Sequence, residues 1–276
     1  MGKPSTLTPK RSPSHFFGSE VRRARMAAGI TLAEFGAHVP CDGSTVSRIE
    51  TGVKSADARF AAVCDELFPK ADGWFSRFYS ESREWAAYPP AFRSFAADEG
   101  LATALYVFAP VLAPGMLQIE EYARAVLNMH PYVEDGQVEN RVQARMARQN
   151  VLTCAVPPMA MFLLDEAVLR RKVSTADVMY DQLRHLVALS RQPNVSIQIL
   201  ADSIHVGLQG AFSIAEIADA EDRAFIEDVT DGRVVEDPAV VSAVSMRFRH
   251  LQTEAMTATA SRELIEKVME EQWKTA

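Results

Sequence analysis

Ser44, Thr45, Ser47 and Arg48 lie within five residues of one another in the segment DGSTVSRIETG, residues 42 to 52, around only two large apolar side chains, Val46 and Ile49. An arginine set among hydroxyls is hydrogen-bonding chemistry. Its donor fork matches the O6 and N7 acceptors of guanine, a contact that discriminates between bases by about 1 to 3 kcal/mol, and serines read base edges less selectively. Val46 and Ile49, three apart, predict a helix pinned to a small core with Ser44, Thr45, Ser47 and Arg48 outward. Ser44, Ser47 and Arg48 are the candidate base readers. Thr31, Thr45, Lys54 and Arg59 are the candidate phosphate contacts, which fix register without reading sequence.

Other reactive residue types do not assemble into a site. His205 is near Asp202 and Ser203, but no glycine pattern of a nucleophile elbow surrounds the serine, so no catalysis is expected. His130, His185, His205 and His250 lack ligand spacing, and neither a metal nor a cofactor is expected. GLQG at 207–210 reads as a turn, because the full Gly-rich phosphate pattern is missing. Arg141, Arg145 and Arg148 recur at helical intervals and predict one basic face. Two readings stay open for it: a solvated or salt-bridged stripe beside Glu134, Asp135 and Glu139, or a dock for an acidic protein partner. RRK at 170–172 poses the same choice. The acidic residues Asp219, Glu221 and Asp222 read as an exposed hairpin loop.

The elements that must position these residues follow from pattern and charge. Residues 1 to 60 hold nine Lys/Arg against five Asp/Glu, a balance of +4, leaving 20 against 31, a balance of −11, in the rest of a chain whose net charge is −7. That asymmetry predicts a small basic module joined to a larger acidic one. Residues 1–15, polar and carrying Pro4, Pro9 and Pro13, are expected to be a disordered basic tail. Apolar residues at helical intervals predict four short helices between residues 17 and 68. Thr31 with Glu34 is placed to cap the second and Asp42 the third. The helical module is assigned to residues 16–70, and 71–90, with an aromatic helix over 74–87 before YPPAF, is expected to be a connector. Trp74, Trp85 and their aromatic neighbours read as core or interface packing.

Residues 91–276 mix types. Helices are expected near 118–129, 137–150, 175–191, 238–255 and 260–273. Strand candidates lie at 103–109 and in MAMFLL, VSIQIL, GAFSIAEI, AFIEDV and RVVE, with Asp231-Gly232 as a two-residue hairpin turn. The fold class is therefore α+β overall: an all-α domain of four to five helices, then a mixed α/β domain with about five strands, whose order the sequence does not give. No apolar run is long enough to span a membrane, and no secretory core follows the N-terminal basic residues, so a cytoplasmic protein is expected. Cys41, Cys64 and Cys154, odd in number and widely spaced, are expected to be reduced, small apolar residues.

VRRARMAAGITLAEFGAHVPCDGSTVSRIETG resembles the four-helix DNA-binding domain of Xre/Cro-family helix-turn-helix repressors across residues 17–68. The likeness rests on Arg25, Gly29, Ala33 and Phe35, and on Ser47, Ile49, Glu50 and Gly52. It implies that Arg25 and Glu50 form a structural ion pair rather than DNA contacts. The sequence departs from the pattern at Leu32, where a glutamine commonly approaches phosphate, and at Pro40, which replaces a usual turn glycine and implies an altered turn.

VLAPGMLQIEEYARAVL, RMARQNVL, LLDEAVLRRKV and QLRHLVALSRQPNVSIQILADSIHVGLQGAFSIAEI, in that order, resemble the C-terminal domain, of unknown function, of a large actinobacterial group of such regulators. That group includes WhiJ-like developmental regulators and antitoxin-like proteins encoded beside a small acidic partner. The resemblance implies a transcription regulator of double-stranded DNA with a second domain that senses a ligand or binds a small acidic protein; a homodimer is expected because one short reading helix makes a small interface and two-fold pairing aligns two such helices with half-sites. The alternative is an antitoxin-like interaction protein that mainly sequesters such a partner and binds DNA for autoregulation.

Overall fold

The computed structural model describes residues 13–39, 42–88, 90–129, 137–229 and 232–275, which form two compact units dividing at residues 86 and 87. Pro40 and Cys41, the hairpin residue Asp231, His130, and the acidic pair Glu134 and Asp135 lie outside the described residues, as does the tail before residue 13.

The first unit is helical: α1 Pro13–Ala27, α2 Leu32–His38, α3 Gly43–Glu50, α4 Ala58–Leu67 and α5 Trp74–Ala87. Helix α1 begins inside the segment expected as tail, with Pro13 in its first turn, where proline's missing N–H costs nothing. Phe17, Val21, Phe35, Val39, Val46, Ile49, Phe60, Cys64, Phe68 and Phe75 form one core. Phe75 comes from the segment expected as a connector. Helix α5 is instead the fifth helix of the head: Trp74 and Phe78 lie against Phe17, and both oxygens of Asp65 accept from the backbone N–H groups of Phe75 and Ser76 at 3.0 and 2.9 Å. A carboxylate borrowed from α4 thus satisfies orphan donors at the start of α5, and the aromatic face does the rest.

The second unit contains α6 Arg93–Glu99, β1 Ala102–Ala109, α7 Glu120–Asn128, α8 Gln137–Arg148, β2 Met159–Asp165, α9 Ala167–Arg170, α10 Ala176–Leu189 and β3 Val195–Leu200. It continues with β4 Phe212–Ile217, β5 Arg223–Ile226, β6 Arg233–Val235, α11 Pro238–Glu254 and α12 Ala258–Val268. The six strands make one sheet in the order β3-β2-β1-β4-β5-β6. β1, β2 and β3 are parallel, and β4, β5 and β6 each pair antiparallel with the strand before them in that order.

Period-2 alternation sends Leu105, Val107, Phe162, Leu164, Ile197 and Ile199 into a large core packed by α7, α10 and α12, while Phe108, Leu163, Leu200, Phe212 and Ile214 meet Val241, Phe248 and Leu251 of α11 on the opposite face. β1, β2 and β5 end at the same edge of the sheet. The loop 110–119, Glu166 and Glu227 therefore gather at a carboxyl edge, where ligands of open α/β sheets bind. Cys64 is buried, which pushes its thiol well above the usual range, whereas Cys154 is exposed rather than packed. Among the described residues no helix is long and apolar enough to cross a membrane.

Candidate nucleic-acid interface

The head presents α3 through a short chain of local causes. Thr31 closes a capping box on α2: its hydroxyl oxygen accepts from the Glu34 N–H at 3.2 Å, and its own N–H donates to the Glu34 carboxylate at 2.8 Å. Asp42 caps α3, accepting from the Thr45 N–H at 2.8 Å and from the Ser44 hydroxyl at 2.9 Å. These bonds, the Thr31 N–H foremost for Glu34 and the Thr45 N–H foremost for Asp42, hold both carboxyls below their ordinary values.

Helix α3 is then seated by Val46, fully buried, and Ile49, 4% exposed. Gly18 of α1 lets the seat close, since a Cβ there would stand 2.2 Å from the Ile49 carbonyl oxygen. After the helix, Thr51 donates its hydroxyl to the Ser47 carbonyl, and the Lys54 N–H bonds the Arg48 carbonyl at 3.0 Å.

Beneath α3 lies the one buried ion pair of the head's described residues. Arg25 Nε and Nη2 donate to the two Glu50 oxygens at 2.5 and 3.1 Å, and Nη1 donates to the Ile30 carbonyl at 2.8 Å. Their side chains are 12% and 4% exposed. The pair ties α1 to the end of α3 and to the turn before α2.

The outward residues fall into two groups. Arg48, Lys54 and Arg59 are exposed and enter no ion pair among the described residues, so their charge is available. Ser44 is exposed but lends its proton to Asp42, leaving oxygen lone pairs to offer; Ser47 and Thr45 are half-buried beside Arg48. Thr31 is exposed, yet its N–H belongs to Glu34, so only its hydroxyl proton remains for a phosphate.

A helix–turn–helix pair with a polar second helix matches what the comparisons with known proteins find. Residues 17–68 match the family model described as a helix-turn-helix domain, and residues 92–267, well over half the chain, match the model described as a domain of unknown function, DUF5753. The chain belongs to the DUF5753 family. No curated protein and no solved structure matches it. The helix-turn-helix domain suggests a DNA-binding regulator with a DUF5753 domain behind it.

Within the DUF5753 domain, the basic face expected of α8 is not a solvent-facing stripe. Arg148 donates from Nε and Nη2 to both oxygens of Glu99 at 2.6 and 2.9 Å, and Glu99 is fully buried. Arg145 donates from Nη1 to Gln118 Oε1 at 2.8 Å. The Nε of Arg141 is buried and has no acceptor among the described residues. Helix α8 turns these arginines inward because its neighbour α6 offers a buried carboxylate that sequence spacing could not reveal, and Glu139, expected beside them, pairs with Arg124 instead. These bonds occupy two of the three arginines expected as a dock for an acidic protein partner. Of the RRK run, Arg170 pairs with Glu166 and Arg171 donates to the Val111 carbonyl.

His205 also finds a different partner. Its Nδ1 accepts the Gly207 N–H at 3.2 Å, which leaves Nε2–H to donate to Asp165 at 3.0 Å, while Ser203 donates to the Ala201 carbonyl. The ring is fully buried beside Phe108. Among the described residues no three His, Cys, Asp or Glu side chains converge as metal ligands.

Proposed function

We propose that this protein is a sequence-specific, non-enzymatic transcription regulator of the cytoplasm that binds double-stranded DNA as a homodimer through α3. The observation that carries the reading is α3 itself: two apolar residues seat it, a buried ion pair locks its end, and Ser44, Ser47 and Arg48 are left outward with no structural debt beyond the Asp42 cap. Arg48 reads guanine, and Lys54 and Arg59 hold phosphates. One such helix makes a small interface, so two-fold pairing of heads, on half-sites one helical turn apart, supplies the remaining affinity. The DUF5753 domain supplies the control, by binding a ligand better in one arrangement of the heads than in the other. The antitoxin-like reading has no comparable support, because the arginines that would have met an acidic partner are engaged inside the domain.

A mobility-shift titration with the upstream region of the protein's own gene tests this. Binding should weaken steeply with salt. Arg48→Ala should cost about 1 to 3 kcal/mol on the specific site and little on random DNA, whereas Lys54→Ala should weaken both alike. Equal losses on the two DNAs for Arg48→Ala would remove α3 as the reader.

A further inference from the structure

We propose that the outer face of α11, together with the turn beside it, is the surface on which a second copy of this chain docks, with the two α11 helices antiparallel. The inference rests on the homodimer assigned above and names its interface.

The turn carries the first observation. Val206–Gln209 follows β3 and packs against α11. Its surroundings are arranged inside out. His205 turns in to Asp165, and Gly207 lies flat on Phe108, where a Cβ would stand 2.3 Å from the ring's Cζ. Ile204, Val206 and Leu208 are thereby turned outward, 95%, 41% and 56% exposed. An imidazole and a carboxylate held inside while three aliphatic side chains face water is the reverse of what a free surface favours, and clustered exposure of this kind marks an interaction site.

The second observation is α11 itself. Among the described residues it is the only helix that contributes to the core on its face of the sheet, whereas α6, α7, α10 and α12 share the opposite one. Val241, Phe248 and Leu251 point down into that sheet. The outward side is not the charged stripe usual for a solvent-facing helix: Ala239, Val240, Ala243 and Met246 are exposed along it, Met246 at 62%. Helix and turn together form an apolar strip with charge at its rim, the anatomy of a protein interface.

The rim identifies the occupant. The start of α11 is acidic, with Glu236 and Asp237, and its second half basic, with Arg247, Arg249 and His250, all exposed. Asp237 caps the helix through Oδ1, Glu236 pairs with Arg223 and His250 with Glu254, while Arg247 and Arg249 enter no ion pair among the described residues. Both arginines lie more than one turn before the end of α11, too far for the helix dipole to account for them. A second α11 laid antiparallel across the first brings each acidic start beside the other's arginines and sets the small Ala239 and Ala243 against Met246. A parallel pairing would oppose arginine to arginine. Self-complementarity about a two-fold axis is what an isologous interface requires, and complementary rim charges fix its register. Growth of the sheet by edge pairing is closed at β3, where the Ile199 N–H donates to the Ser261 hydroxyl and the Ile199 carbonyl accepts from the Met256 N–H, both at 2.9 Å.

Sedimentation velocity of the full chain between about 1 and 100 µM tests the interface. A reversible dimer is expected of the unaltered chain. Met246→Glu and Leu208→Glu, both at exposed positions, should each raise the dimer Kd about thirtyfold or more, the loss expected at the centre of an interface, with the circular dichroism unchanged. Charge exchange separates docking from any folding defect. Glu236→Lys, and the double variant Arg247→Glu with Arg249→Glu, should each dimerise about tenfold more weakly, while an equimolar mixture of the two recovers the original association. An unaltered chain that stays monomeric across the range, a dimer that neither apolar variant weakens, or a mixture no stronger than its components overturns the proposal. A dimer that behaves as expected but shifts no DNA leaves this interface standing and retires α3 as a reading helix.

Discussion

Removing Arg25 is the sharpest test of how the head is built. Arg25→Ala deletes three hydrogen bonds at 2.5, 2.8 and 3.1 Å and leaves the Glu50 carboxylate, a residue 3% exposed, without its counter-charge. Breaking a buried pair from one side costs about 3 to 5 kcal/mol, a large share of the roughly 5 to 15 kcal/mol that holds a domain together. In a domain of this size each kcal/mol moves the melting temperature by about 4 to 8 °C, so the head should melt at least about 12 °C lower. Differential scanning calorimetry of the full chain reads this as a shift of the head's transition alone, since the pair lies wholly within the first unit. Arg25→Met with Glu50→Met replaces both charges by apolar volume and should recover most of the loss. A change within about 1 kcal/mol for Arg25→Ala would refute the argument. A double variant that folds normally but no longer discriminates DNA sequence would place Arg25 on the DNA.

Three further outcomes follow from the packing and titration of single residues. Gly18→Ala sets a Cβ against the backbone of α3 and should destabilise the head by about 1 to 3 kcal/mol; an unchanged head transition would mean that α1 and α3 do not approach so closely. His205→Leu strands the Asp165 carboxylate, which among the described residues keeps only its bond from the Ala167 N–H, and should destabilise the second domain by about 2 kcal/mol or more while DNA affinity stays the same. A loss of function without a loss of stability would show that this pair is more than a brace.

His185 is held below its ordinary pKa by burial, its Nε2 without a partner among the described residues, in a groove that Glu121, Asp181 and Arg184 also line. The unfolded chain therefore binds that proton more readily, and stability should be full above about pH 6.5 and lost as pH falls through it. In urea titrations His185→Leu should flatten the decline between about pH 7 and pH 5; an identical decline would assign it to other groups.

What the sequence determined by itself was local. The head was legible because its signals are short in range: a hydroxyl three residues before a glutamate makes the box at Thr31, Asp42 caps the helix it precedes, and Val46 with Ile49 fixes which face of α3 is left outward. The strands of the second unit were legible for the same reason, since alternation is a property of neighbours.

Partners chosen across the fold were not legible. His205 takes Asp165, forty residues earlier, rather than the nearby Asp202; Arg148 takes Glu99 instead of an acid in its own neighbourhood; and Asp65 starts a helix that reads from composition as a connector. The order of the sheet belongs to the same class, because β4 joins the far side of β1 for reasons of packing that no single strand encodes. Spacing along a chain specifies which way a side chain faces, but burial of a charge is decided by the partners the tertiary fold brings to it, and only that fold could set Arg148 on the buried Glu99 and Arg145 on Gln118 rather than in a surface stripe.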